Sequence, residues 1–314
     1  MPTPLIPQEI FLLERYCSLE RLEKVRDTWR AMLDHAEDMM VRYMTRLPHD
    51  LRSRPSFEQP DFVWGGKVLP NFRETAIALE DACVKRAAGD YEALARAVGV
   101  KGDARGFRDG HTAEWMDEVQ ADGAYTFYKL LSIAEDLADP IDRTTSGIWR
   151  PGALTTRYVQ VIKEPMDAPP SWPVYRLNAN VQMRSGDRTP QTGIYLPDIE
   201  GGFPTLLLKH DDELRGRARR AKTDSGYVSC TWTLAERVAD SGGGIPGEDQ
   251  ASSAEMLESL RCPAGQPCLK TGYWMTPAKL DSRRYFKQGD VMPDLGSNYG
   301  ATIWQWDVDQ GAQS

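Results

Sequence analysis

Glu114, Asp117, Glu118 and Asp122 stand at offsets of three, four and eight, a spacing that would set four carboxylates along one side of a continuous helix. Such a row would steer and dock a basic partner and imitate the charge of phosphates, while the plainer reading is a solvated helix face. Glu135, Asp136, Asp139 and Asp142 add acid further along. His210-Asp211-Asp212 offers an imidazole and two carboxylates, ligand types for a divalent cation and groups able to act as a base. A metal site needs further convergent ligands, which the sequence does not identify, and an exposed polar turn accounts for the same three residues. Cys262 and Cys268 enclose five residues, unlike the two-residue spacing of zinc knuckles, and no second pair follows. Free thiols in a loop, a reversible disulfide and, more weakly, zinc all stay open there.

Other chemistries lack their motifs. Gly242-Gly243-Gly244 has neither the lysine and hydroxyl of a phosphate-binding loop nor the spaced glycines of a dinucleotide fingerprint. There is no G-x-S-x-G elbow and no H-E-x-x-H. The expectation is therefore a protein that is not an enzyme, without cofactor or metal, whose candidate binding residues are Glu114, Asp117, Glu118, Asp122, Glu135 and Asp136. The alternative is a metal-dependent enzyme using His210 and nearby carboxylates.

The elements that must carry these residues change character near residue 150. Before it, apolar positions recur at helical spacing. Leu22, Val25, Trp29, Met32, Leu33, Ala36, Met39, Met40, Tyr43 and Met44 line one face, Ser18 is the predicted N-cap, and Leu47-Pro48 stops the helix. This methionine stripe reads as core and not as a cofactor box. A second helical stretch carries Phe72, Ala76, Leu79, Ala82 and Cys83, is interrupted at Gly89-Asp90 and continues to Val98. A third runs from about Asp103 to Leu137 with Gly123 as its weak point, and Asp139-Pro140 is expected to close it. Stripes joined by modest loops predict a bundle.

After residue 150 the period becomes two. Tyr175, Leu177, Ala179, Val181 and Met183 alternate with polar neighbours, the pattern of a half-buried strand. Further strands are predicted at 157–162, 193–196, 205–209, 227–234, 271–276, 283–286 and 301–306, giving a mostly antiparallel sheet. The stretch 240–267, with a possible short helix at 254–260, reads as a flexible surface insertion. The fold class expected is α+β, with a helical domain over 1–150 and a β-rich domain over 151–314.

Composition narrows the partners. The 314 residues carry 38 basic and 46 acidic side chains, a net of -8. Residues 1–150 hold 20 basic against 26 acidic and the remainder 18 against 20, so -6 of that charge is N-terminal. This lowers the expectation of a nucleic-acid partner. No apolar run approaches the ~18 residues of a membrane helix, and Met1 to Ile10 lacks the basic start and apolar stretch of a secretory signal. No membrane partner and a cytoplasmic location are expected. Cys17, Cys83 and Cys230 sit in apolar patterns and read as core.

The C-terminal segments Cys268-Leu-Lys-Thr-Gly-Tyr-Trp-Met-Thr-Pro-Ala, Ser282-Arg-Arg-Tyr-Phe-Lys-Gln-Gly-Asp-Val-Met-Pro-Asp and Tyr299-Gly-Ala-Thr-Ile-Trp-Gln-Trp resemble the C-terminal region of immunity proteins of bacterial polymorphic-toxin and type VI secretion systems, the immunity protein 71/72 group. The resemblance covers roughly the last fifty residues. It implies a cytosolic inhibitor that binds a cognate toxin effector and blocks it, without saying which toxin. Read from its residues, the segment is structural: Tyr273 and Trp274 pack on both sides of a strand, Gly289 makes a turn and Met292-Pro293 ends the unit. Recognition is then expected on the surface that this scaffold presents.

Overall fold

The computed structural model describes residues 2–158, 172–212, 215–239, 261–276, 282–295 and 302–307. Helices come first and antiparallel sheets follow, an α+β arrangement. The α-helices among the described residues are α1 (Pro7–Tyr16), α2 (Leu19–Met44), α3 (Pro60–Val63), α4 (Leu69–Ala87), α5 (Ala97–Gly110) and α6 (Gly123–Thr145). Trp64–Val68 forms a π-helical turn between α3 and α4. No helix among the described residues is long and apolar enough to cross a membrane.

The periodic stripe of α2 faces the core. Ser18 Oγ accepts the Arg21 N–H at 3.1 Å and starts the helix, and every stripe residue from Leu22 to Tyr43 is buried while Met44 is exposed. Each such buried Leu, Val or Met contributes about 1.5–3 kcal/mol of apolar burial. Trp29 keeps its indole N–H satisfied by donating to the Phe72 carbonyl at 3.0 Å. By contrast, α1 is missing from the periodic reading because Ile10, Phe11, Leu12, Leu13 and Tyr16 are all buried. A short helix enclosed on nearly every side shows no stripe.

Pro140 does not close α6, which runs on to Thr145. Proline lacks an N–H, so the Asp136 carbonyl four residues earlier loses its intrahelical donor. Buried Arg21 supplies replacements: Nη2 donates to the Asp136 carbonyl at 3.3 Å and Nε to the Leu137 carbonyl at 3.0 Å. One guanidinium thus carries the helix through its proline and ties α2 to α6.

The strands are β1 (Val174–Arg184), β2 (Gly193–Pro197), β3 (Thr205–Leu207), β4 (Ala221–Thr223), β5 (Gly226–Val228), β6 (Thr231–Ala239), β7 (Arg261–Pro263), β8 (Gly272–Met275), β9 (Arg284–Phe286) and β10 (Ile303–Trp306). They form one sheet ordered β1-β6-β2-β3, a second ordered β7-β10-β8-β9 and the hairpin β4-β5. The predicted strand 227–234 is two strands, β5 and β6. Arg157 lies in a turn, and residues 159–162 of the strand predicted there lie outside the described residues. So do 240–260, including Gly242 to Gly244 and the expected helix 254–260, whereas 261–263, expected within the insertion, pair with β10.

The alternation of β1 fails for a geometric reason. Asn178 opposes Leu234 but Gln182 opposes Thr233, leaving three residues of β1 unmatched. An odd insertion turns the following side chains to the other face. Tyr175 therefore joins the helical core while Met183 joins a second core with Tyr195, Leu207, Trp232 and Leu234. Leu177, expected to be inward, is 44% exposed.

The largest core runs from the helices through Trp149 and Leu154 to Tyr175, Ile194, Phe203 and Leu206. At this junction Glu9 is 3% exposed. Burial pushes its carboxyl up to about 7, against the lowering pull of the Thr155 hydroxyl at 3.3 Å and the Gly152 backbone. Gln8 Nε2 adds a bond to the Leu154 carbonyl at 2.7 Å.

Arg21→Met should cost about 2–4 kcal/mol in urea unfolding, since two buried carbonyls lose a charged donor. In a Pro140→Ala background the cost should shrink by about 1 kcal/mol, because the new N–H can serve the Asp136 carbonyl. Equal costs in both backgrounds would refute the compensation. Glu9 sets a pH dependence: between the ordinary carboxyl value of 4.5 and about 7, the folded chain holds a proton that the unfolded chain has released. Stability should therefore fall as pH rises through that window, by about 3 kcal/mol in all, and level off above it. Glu9→Gln should remove this slope; an unchanged pH profile would exclude Glu9 as its source.

Candidate functional site

Glu114, Asp117, Glu118 and Asp122 do not lie on one helix. Glu114–Glu118 is a 3₁₀ turn and α6 begins only at Gly123, so the expected carboxylate stripe is replaced by a short acidic loop. The break sits at the helix junction: Asp122 takes a left-handed conformation, φ 61°, and Gly123 lies so close beneath the turn that an added Cβ would come within 2.8 Å of the Met116 carbonyl oxygen. Asp117 Oδ1 accepts the Ala124 N–H at 3.0 Å and caps α6, and His35 Nε2 lies 2.8 Å from the Gly123 carbonyl oxygen.

All four acidic side chains nonetheless reach solvent. Glu114 accepts the Tyr128 hydroxyl at 3.3 Å, and the same hydroxyl receives the Ala113 N–H at 3.1 Å. Beneath the loop, Met116 and Trp115 enter the core. Trp115 meets Tyr43 and Trp64 edge-on at 5.2 and 5.3 Å, and Trp64 meets Phe107 and Phe127 in the same way. Edge-to-face pairs of this kind fix ring orientation as well as burying area, so an aromatic stack from three helices holds the acidic loop in place.

Glu135 and Asp136 belong elsewhere. They lie about 18 Å along α6 from Gly123 at ~1.5 Å per residue. Arg108 binds Glu135 through its two terminal guanidinium nitrogens, which neutralises it within the chain. Burial, with the carboxylates of Glu135 and Asp139 nearby, pushes the Asp136 carboxyl up. Asp139 and Asp142 both hold Lys101 Nζ at 2.7 Å. Of the acidic residues singled out in sequence, the loop set is exposed together, Glu135, Asp139 and Asp142 are spent on internal pairing, and Asp136 is exposed on α6 apart from the loop.

His210 turns toward Glu92. Its Nδ1 accepts the Asp212 N–H at 2.7 Å, leaving Nε2 to donate to Glu92 Oε1 at 2.6 Å. Among the described residues no group of three His, Cys, Asp or Glu side chains is arranged to hold a metal ion. Cys262 and Cys268 are buried free thiols in the small core with Trp274, Met292 and Trp304, and Trp304 and Trp274 donate to the Pro293 and Lys270 carbonyls at 2.8 and 2.9 Å. Arg283 pairs with Asp307 and covers the Tyr273 ring at 4.0 Å. In the described part of this C-terminal unit the tryptophans, cysteines and Met292 pack together, while Leu269, Tyr285 and Val291 are exposed.

A cleft of about 1070 Å³, which the sequence does not announce, opens between the α1–α2 corner, the end of α4 and the first sheet. Glu14 crosses it, accepting the Tyr175 hydroxyl at 2.6 Å and facing Arg237 at 3.7 Å. Arg86 donates to the Cys17 carbonyl at 2.9 Å and covers the Tyr91 ring at 3.7 Å. Cys17 lines the same cleft, but burial pushes its thiol up to about 12, which leaves it unreactive near neutrality.

Gly123→Ala should destabilise the chain by about 1–3 kcal/mol, the scale of overpacking against a fixed backbone. A thermal midpoint equal to or above that of the parent would show that the loop does not depend on this close approach. Compared with known protein families, curated proteins and solved structures, the chain has no match.

Proposed function

We propose that this protein is a cytoplasmic immunity protein, not an enzyme, which binds a cognate toxin effector and neutralises it by covering its active site or substrate groove. The observation that carries the reading is the acidic loop. Glu114, Asp117, Glu118 and Asp122 are all exposed on a turn braced by a helix cap and an aromatic stack. A rigid, concentrated negative surface accelerates encounter with a basic partner and costs little reorganisation on binding. A nuclease-type toxin, basic because it must hold phosphates, is the partner class this surface fits. The C-terminal resemblance supports the same role, with its own residues serving the scaffold.

Co-expression with each adjacent open reading frame tests the reading, scoring rescue from toxicity and co-purification. Glu114→Lys, Glu118→Lys and Asp122→Lys combined, with Asp117 kept as the α6 cap, should slow association with the rescued toxin at low salt by at least about tenfold and abolish protection. Unchanged association and protection would remove the acidic loop from the interface. Rescue by none of the neighbouring toxins would count against the immunity role itself.

A further inference from the structure

The β-rich part carries a surface of the opposite sign to the acidic loop. Residues 215–222, Arg-Gly-Arg-Ala-Arg-Arg-Ala-Lys, hold five basic side chains and no acidic one, in a chain whose net charge is -8. Gly216 and Ala218 are buried while Arg215, Arg217 and Arg219 are exposed, the alternation of an extended segment with one face in water. Arg188 stands opposite Arg217 in an isolated antiparallel bridge. The bonds around that bridge run from the Thr189 N–H to the Gly216 carbonyl and from the Ala218 N–H to the Asp187 carbonyl, both at 2.8 Å. This is the non-hydrogen-bonded type of pair, with Cα atoms about 4.5 Å apart and side chains at their closest. Two arginines so placed repel each other.

Neither guanidinium meets a carboxylate among the described residues. Arg217 donates to the Gly186 carbonyl at 2.8 Å and Arg188 to the Asp211 carbonyl at 3.2 Å, which leaves most of their N–H groups for something else. Of the acids next to the strip, Asp187 accepts the Arg184 backbone N–H at 2.9 Å and Asp212 that of Arg215 at 3.4 Å. Exposed Asp211 and Asp224 bound the strip in sequence. Arg219 donates to the Thr145 carbonyl at 3.0 Å and ties the strip to the end of α6.

The strip runs into the hairpin β4-β5, where Lys222 and Tyr227 are directly opposed and so share a face. Tyr227 is 61% exposed and close enough to Arg219 to act on its charge, so an open aromatic ring lies among cations. Guanidinium groups take phosphate oxygens two at a time. Outward residues of an extended segment repeat every ~6.7 Å, the order of the step between phosphates of an extended strand. A carboxylate-rich peptide would meet the arginines and leave the tyrosine idle, whereas a nucleobase lies flat on it.

We propose that this strip binds single-stranded nucleic acid, with its phosphates on Arg188, Arg215 and Arg217 and a base stacked on Tyr227 beside Lys222. The acidic balance of the chain as a whole repels such a strand elsewhere and directs it to the strip. The site is separate from the acidic loop and does not rest on the toxin-binding role.

The test uses the full chain and a fluorescein-labelled oligothymidylate of about twelve nucleotides, read by anisotropy from about 50 mM salt upward. Binding should saturate in the micromolar range and weaken with salt along a logarithmic slope of about -2, as when about three phosphates of a single strand are neutralised. Arg188→Ala with Arg217→Ala should weaken binding at least about tenfold and flatten that slope by about 1.4, with the far-ultraviolet circular dichroism of the parent. Tyr227→Ala should weaken it at least about fivefold with the slope unchanged, because stacking carries no net charge; this variant carries the test should the double variant fail to fold. No saturable binding would overturn the proposal, as would full affinity in Tyr227→Ala or in a folded double variant. Tighter binding of poly-glutamate of equal charge would overturn it in favour of an acidic protein, and retention on phosphatidylserine vesicles without binding of the strand in favour of a membrane surface.

Discussion

Arg21 is the joint on which the helical part turns. A proline inside a helix ordinarily leaves a carbonyl open and bends the axis. Here one buried guanidinium fills the gap by bonding to two successive carbonyls of α6. The arginine is itself fixed at the first turn of α2, where its own N–H is taken by Ser18. The start of one long helix is thereby locked to the middle of another. The two ends of α6 inherit that placement: the acidic loop at one, and the Trp149 contact with the sheet-facing core at the other.

How much of this was legible in the sequence depended on whether a residue's role was local. The stripe of α2, the Ser18 cap and the break at Gly123 are set by neighbours in the chain, and periodicity finds them. The continuation of α6 past Pro140 is not, because the donor that permits it comes from 115 residues away. The face change in β1 is equally invisible: Tyr175 and Met183 alternate correctly in sequence, and only the register against β6 sends them to different cores. The acidic set was visible as composition, but its spacing suggested a helix that Gly123 and left-handed Asp122 break.

The division of labour between the two parts follows from what each has to spend. The C-terminal unit is small, with a core of Cys262, Cys268, Trp274, Met292 and Trp304. Trp274 and Trp304 of that core hold short strands together, as expected when little apolar area is available. The helical part has aromatic residues enough to support an exposed, charged loop.

The three unmatched residues in β1 carry a consequence for life in a crowded cell. Among the described residues β1 is an outer strand of its sheet, and a straight outer strand offers a ready template for any extended chain that passes. The bulge interrupts that row of open N–H and C=O groups midway, and Arg176 and Arg184 place like charges along it. Two copies meeting edge to edge would find neither a continuous ladder nor a neutral one. The same irregularity that defeats the alternation pattern thus interrupts the edge along which a second copy would pair.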